Sequence, residues 1–173
     1  LRVYEWDLIQ SGRVYGLIAM LAGSAGVLSG PFVLKLMNKK NISAPHFKLA
    51  IFGISMASLS LVLLPFQANV NIALIFVTLA SFFVTLPLAG TSSAMVIVSP
   101  NRIRGVITGI YVVVTSVFGL VLGPFLVASS TDFIFQDPNA VAKSLALVSV
   151  LIGPVGIFFM LKGVNAFGEM KNV

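Results

Sequence analysis

Residues 51–66 read IFGISMASLSLVLLPF, and this stretch decides the fold class because it has no polar side. No charged residue occurs from Leu49 to Asn101, or from Gly105 to Thr131. A strand of a membrane barrel alternates apolar and polar residues in pieces of about ten residues, and this stretch does not alternate. Backbone polar groups in lipid need internal hydrogen-bond partners, so the sequence predicts membrane-spanning helices.

The composition of the whole chain agrees with this prediction. The 173 residues are 58% hydrophobic and 9% charged, whereas a soluble domain carries about 25% charged residues. The outer surface is therefore expected to face lipid. The net charge of +6 comes from short basic clusters rather than a basic face with aromatic residues, so we expect no nucleic-acid partner. The chain contains no cysteine, which excludes disulfides and thiolate metal sites within it, and we predict no cofactor.

A helix needs about 20 apolar residues to cross the hydrocarbon layer of a membrane. Five segments meet this requirement, namely residues 14–36, 47–66, 72–98, 105–130 and 143–162. The predicted fold is an all-α membrane protein with five transmembrane helices. Because the chain begins with LRVYEWDLIQ, without a starting methionine or a signal-peptide pattern, we expect it to be a fragment.

Basic residues mark every second loop. Short cytoplasmic loops carry an excess of lysine and arginine. The loop residues assigned to the cytoplasm on this basis are Lys35, Lys39, Lys40, Lys48, Arg102 and Arg104. The N-terminal end is then expected outside the membrane and the C-terminal end in the cytoplasm.

Glycine and proline punctuate the predicted spans. Gly26 and Gly30 form a small-xxx-small pair that lets a neighbouring backbone approach closely, and Gly119 and Gly123 form another. Proline within a span should bend the helix. The prolines concerned are Pro87, Pro124 and Pro154. Such helices suit a protein that changes shape, but they are also ordinary in static bundles, and both interpretations stay open.

Hydroxyl groups follow one helical face in each of two neighbouring spans. They are Thr78, Ser81, Thr85 and Ser92 in the third span, and Thr108, Tyr111 and Thr115 in the fourth. Such hydroxyls can line a watery substrate pathway, or they can bond to a neighbouring helix for about 0.6 kcal/mol each. The sequence leaves both roles open.

The sequence argues against catalysis and against ion conduction. No ionisable residue lies deep within a predicted span, although such residues usually mark proton and ion sites. Nor does the sequence contain a nucleophile–base pair, a phosphate loop or metal-ligand spacing, so we do not expect an enzyme. A channel is disfavoured because there is no ring of charge or filter-like segment.

Two stretches resemble a known family. Residues 101–148, from NRIRGVITGIYVVVTSVFGLVLGPF to QDPNAVAKSLALV, resemble the last two helices of a major facilitator superfamily transporter, most closely the bacterial spinster-like branch. The matching features are Arg102 and Arg104, Gly109, the GLVLGP run at 119–124, Asp132 and the F-x-D-P loop at 135–138. Residues 10–40 resemble the eighth helix and the basic loop after it, with Leu34 where the family has an acidic residue.

The resemblance implies a function and a set of partners. The five spans would be helices eight to twelve of a twelve-helix transporter in the bacterial inner membrane, most of one six-helix bundle. The third and fourth spans would face a central cavity, while the second and fifth would face lipid. The partners would be the bilayer, the N-terminal half of the same transporter and a small-molecule substrate. The implied activity is ion-coupled movement of a small or amphiphilic solute by alternating access, and the alternative is a non-transporting packing or assembly subunit.

Overall fold

The computed structural model describes residues 7–67, 69–88, 90–91, 99–137 and 140–170, and all regular structure within them is helical. Helix α1 covers residues 8–39 and consists of Leu8–Ile18, the π-helical turn Ala19–Gly23 and Ser24–Lys39. Helix α2 is Pro45–Leu63, extended by the 3-10 turn Leu64–Phe66, and α3 is Val70–Thr85. Helix α4 covers residues 104–135 and consists of Arg104–Ser116, π-helical Val117–Leu122, Gly123–Ser129 and π-helical Ser130–Phe135. Helix α5 is Val141–Met170.

Four of these helices are long and apolar enough to cross a membrane. Within the described residues these spans are Ile9–Lys39, Pro45–Phe66, Arg104–Phe135 and Val141–Val164. They contain the predicted spans 14–36, 47–66, 105–130 and 143–162. The prediction of an all-α chain is confirmed, and its long apolar helices are consistent with an integral membrane protein.

The predicted third span, residues 72–98, is interrupted at Pro87 in the structure. Helix α3 ends at Thr85 after 16 residues, and Leu86 and Pro87 form a turn. A proline removes one hydrogen bond from a helix because its nitrogen carries no hydrogen. Leu88, Gly90 and Thr91 are helical again, and the Thr91 N–H donates to the Pro87 carbonyl at 2.9 Å. The bend expected at Pro87 is thus a two-residue interruption, while residues 92–98 lie outside the described ones. Pro154, by contrast, lies inside α5, which continues on both sides of it.

Helix α2 lies at the centre of the packing. It runs along α3 and α5 and also touches the second half of α1. Its most apolar stretch is 33% buried, the largest share among the four spans, although the resemblance implied that the second span faces lipid. A core of Leu34, Leu49 and Leu86 joins α1, α2 and the turn after α3. This apolar core lies at the end of the bundle that carries the basic α1–α2 loop.

Helix α4 packs differently from the others. None of its residues from Arg104 to Ser129 is buried. Its contacts with α5 come from the second half, after Gly123. The first half exposes large apolar side chains, including Val106, Ile110 and Phe118. Much of α4 is therefore left uncovered by the described part of the chain.

Candidate functional site

Thr85 lies where α3 crosses α1. Its hydroxyl is 3.0 Å from the carbonyl oxygen of Gly23 and 2.9 Å from that of Ser81 in its own helix. A Cβ on Gly26 would overlap the Thr85 hydroxyl and the Phe82 carbonyl. The two backbones approach closely because Gly26 has no side chain. Thr85 therefore joins α1 and α3 through its hydroxyl group.

The other hydroxyl groups of the third span are less informative. The Thr78 hydroxyl donates to the Leu74 carbonyl of its own helix at 2.7 Å. Ser81 is half-buried, and Ser92 lies outside the described residues. The role of these three residues in a substrate pathway stays a prediction.

On α4, the predicted hydroxyl face turns partly toward the chain segment after α3. The hydroxyls of Tyr111 and Thr91 lie 3.5 Å apart. Thr108 and Thr115 instead donate to carbonyls of their own helix, at Arg104 and Tyr111. Tyr111 is thus the one predicted α4 residue for which the described structure shows a polar partner on another element.

The basic residues predicted to set the topology lie at helix ends. Those on the α1–α2 side, Lys35, Lys39, Lys40 and Lys48, are exposed, as is Arg102 before α4. Arg104 begins α4 and is half-buried. This distribution agrees with two basic loops at the ends of apolar helices, while the side of the membrane on which they lie stays a prediction.

The predicted glycine pairs divide into two kinds. Gly26 and Gly30 are buried in α1, and Gly26 meets α3. For Gly119 and Gly123 in α4, no described atom lies within 4 Å of an added Cβ. Pro124 is exposed and is the second residue of the α-helical segment that begins at Gly123, directly after a π-helical turn. The α4 pair therefore meets no helix within the described structure.

A groove of about 680 Å³ lies between α4 and α5, and Leu61 of α2 also contributes to its lining. We call it the α4–α5 groove. Pro124, Val127 and Ala128 line one wall, and Leu145 and Val148 line the other. Its polar lining residues are Thr131, Asp132 and Ser149. A volume between about 300 and 1,000 Å³ is typical of sites for small molecules.

A buried pair of hydroxyls fixes one end of this groove. The Thr131 hydroxyl donates to the Ser144 hydroxyl at 2.8 Å, and Ser144 has no exposed surface. Ser144 in turn donates to the Ala140 carbonyl at 3.2 Å. The pair joins the last turn of α4 to the first turn of α5.

Sequence reasoning missed both the groove and the hydroxyl pair. Thr131 and Ser144 lie at the ends of two predicted spans, where polar residues are ordinary. One signal was available, because the link between them is short and must bring these two turns together. The apolar groove residues carry no such signal, since Val127 and Leu145 resemble any other lipid-facing residues.

The comparisons add no relative to this picture. No protein-family model, no curated protein and no solved structure matches the chain.

Proposed function

We propose that the chain is part of a transmembrane secondary transporter of the major facilitator type, which moves a small or amphiphilic solute by alternating access. In such proteins two helix bundles rock against each other around a site near the middle of the membrane. The sequence resemblance of residues 10–40 and 101–148 motivates the family. The packing of α4 supplies the structural support.

The uncovered surface of α4 is the observation that carries the proposal. Val113 is 63% exposed and Phe118 is 61% exposed, and no residue of Arg104–Ser129 is buried. A helix that faces a second bundle in the complete protein would be bare when its own bundle is considered alone. The other half of the transporter is thus the proposed partner of this surface.

Two further features support movement of α4. Its first half is joined to its second half through the π-helical turn Val117–Leu122. Such turns are rare in proteins, and those that occur often lie at functional sites. Because α4 packs on α5 only after Gly123, its first half has fewer contacts with the helices that the structure describes.

Cysteine scanning of α4 in the full-length protein tests the proposal. Single cysteines replace Val106, Ile110, Val113 and Phe118, and Phe159→Cys on the exposed surface of α5 is the matched control. A membrane-impermeant thiol reagent should modify at least one α4 position in proteoliposomes. Its rate should change when a transported solute or a proton gradient is added, whereas Phe159→Cys should stay unmodified. Unreactive cysteines along all of α4 would contradict the proposal and favour a packing subunit that faces lipid.

Solute uptake separates the polar residues by role. Tyr111→Phe should lower gradient-driven uptake several-fold without loss of stability, because its hydroxyl lies 3.5 Å from Thr91 on a half-exposed surface. Thr85→Val should lower stability instead, since that hydroxyl bonds to α1. Unchanged uptake in Tyr111→Phe would remove Tyr111 from the substrate pathway.

A further inference from the structure

The α4–α5 groove presents one polar group that no described side chain uses. The Thr131 hydroxyl bonds to Ser144 and to the Val127 carbonyl, and the Ser149 hydroxyl donates to the Leu145 carbonyl. The Asp132 side chain is exposed, and its carboxylate forms no hydrogen bond or ion pair with another residue in the described ranges. A carboxylate at the end of an apolar groove favours a ligand with a cationic group at one end and an apolar tail.

The length of the groove matches one leaflet of a bilayer. From Gly123 to Asp132 the α4 backbone rises roughly 13 Å at about 1.5 Å per residue. Half of the hydrocarbon layer is about 15 Å thick. Asp132 lies close to the end of the apolar span Arg104–Phe135, where headgroups begin. An acyl chain in the groove would therefore put its headgroup at the level of Asp132.

We propose that the α4–α5 groove binds one phospholipid with an ammonium headgroup, such as phosphatidylethanolamine, from the leaflet at this end of α4. The acyl chain lies along Val127, Ala128 and Leu145, and the ammonium group pairs with Asp132. Lys143 is exposed at the same end of α5, so the lipid phosphate also finds an opposite charge at this level. The ligand comes from the bilayer because the groove opens on the surface of a helix bundle and its walls are apolar.

The proposed lipid site is independent of transport. It lies on the half of α4 that is packed against α5, whereas the transport proposal depends on the uncovered half before Gly123. Lipid retention is measured without any transported solute. Failure of one proposal therefore leaves the other untouched.

Native mass spectrometry of the purified full-length protein tests the site. The delipidated protein is incubated with equal amounts of phosphatidylethanolamine and phosphatidylglycerol of the same acyl composition, and the lipids retained on the protein are counted. The unaltered protein should retain one phosphatidylethanolamine in at least fivefold preference. Asp132→Asn should abolish that preference, and Ala128→Trp should remove retention of both lipids by filling the groove.

Matched variants control for side effects. Asp137→Asn removes a carboxylate at the same end of α4 but outside the groove lining, and Ala25→Trp adds the same bulk to an exposed position of α1. Both should retain lipid like the unaltered protein. Val148→Trp fills the groove from the α5 wall and repeats the test if Ala128→Trp fails to fold, as judged by circular dichroism and gel filtration. Equal retention of the two lipids by the unaltered protein, an unchanged preference in Asp132→Asn, or full retention in a folded groove-filling variant would overturn the proposal.

Discussion

At the scale of single residues, Gly26 determines how closely α1 and α3 approach each other. The space where its side chain would lie is occupied by the Thr85 hydroxyl and the Phe82 carbonyl. The Thr85 hydroxyl also donates a hydrogen bond across this crossing, to the Gly23 carbonyl oxygen at 3.0 Å. A backbone carbonyl cannot turn aside as the end of a long side chain can, so this contact tolerates little added volume.

We predict that Gly26→Ala destabilises the protein, whereas Gly109→Ala does not. The added methyl group at Gly26 forces α1 and α3 apart, which should cost about 1–3 kcal/mol as overpacking does elsewhere. At Gly109 no described atom lies within 4 Å of the added Cβ, so relief of the backbone entropy of glycine should give a small gain of roughly 0.5–1 kcal/mol. Denaturant titration of both variants in mixed micelles measures the difference. Equal stability of the two would contradict the role assigned to Gly26.

We also predict that Thr131 and Ser144 are energetically coupled. Each hydroxyl is the other's partner at 2.8 Å in a buried position. Hydrogen bonds between membrane helices contribute about 0.6 kcal/mol on average and up to about 1.7 kcal/mol. A double-mutant cycle of Thr131→Val and Ser144→Ala should give a coupling energy in this range. Thr115→Val combined with Ser144→Ala is the control, since Thr115 bonds within α4, and its coupling should be near zero.

Residue patterns alone could not distinguish these glycines or these hydroxyls. Gly26/Gly30 and Gly119/Gly123 have the same spacing, but a partner helix lies against Gly26 and none of the described helices lies against the second pair. Thr85 shares a helical face with Thr78, yet only the crossing with α1 gives Thr85 a partner on another helix. Such partners depend on tertiary packing, which a short spacing does not encode.

At the scale of elements, the apolar stretches predicted the helices well and their irregularities poorly. Four predicted spans lie within four observed helices because uninterrupted apolar residues are a strong signal for a membrane helix. A bend was predicted at Pro87, and the structure has a two-residue interruption there before the helical residues Leu88, Gly90 and Thr91. The three π-helical turns, at Ala19–Gly23, Val117–Leu122 and Ser130–Phe135, were not predicted. The first two turns, AMLAG and VFGLVL, are as apolar as the α-helical turns beside them, whereas the third begins with the polar residues Ser130, Thr131 and Asp132.

The contact between α2 and α5 permits a test with rescue. A Cβ on Gly153 of α5 would lie 2.6 Å from the Ser58 hydroxyl oxygen of α2, but 3.4 Å from its Cβ. We predict that Gly153→Ala lowers stability and that adding Ser58→Ala restores most of the loss, because the remaining Cβ is at an ordinary distance. Gly156→Ala is the control, as no described atom lies near its added Cβ. Thermal unfolding of the single and double variants in detergent measures the effect, and a double variant no better than Gly153→Ala would contradict it.

At the scale of the whole molecule, the composition predicted the class of the fold. It did not predict how the helices are arranged. Exclusion of charge from residues 49–101 requires lipid or a core around that stretch. It does not say which helix takes the centre, and α2 does so because it contacts α1, α3 and α5. Its small residues, including Gly53 and Ala57, are buried at these contacts. A helix so placed resembles a lipid-facing one in sequence, because both are apolar on every side.

The orientation in the membrane is a whole-molecule prediction that labelling can check. The chain has no cysteine of its own, so each introduced thiol within it gives an unambiguous signal. Asn38→Cys in the last turn of α1 and Asn101→Cys in the turn before α4, beside the two basic clusters, should resist an impermeant thiol reagent applied to intact cells. Gln67→Cys and Gln136→Cys, at the opposite helix ends, should react. Labelling of the first pair from outside would reverse the predicted topology.

The π-helical turn Val117–Leu122 has a consequence for how α4 presents its two halves. A π-helical turn holds one residue more than an α-helical turn, because its hydrogen bonds run from residue i to residue i+5. Removing that residue, for example Val121, would let the turn close as an ordinary α-helix without the rotation of about 100° that loss of one residue from a regular α-helix causes. Tyr111 would then still lie near Thr91, and Ala128 and Asp132 would stay beside α5. Spectroscopic distances between labels at Ile110 and Leu88, and between labels at Ala128 and Leu145, should therefore both survive the deletion. The surplus amino acid is a removable insertion, and α4 could lose it while each half kept its direction.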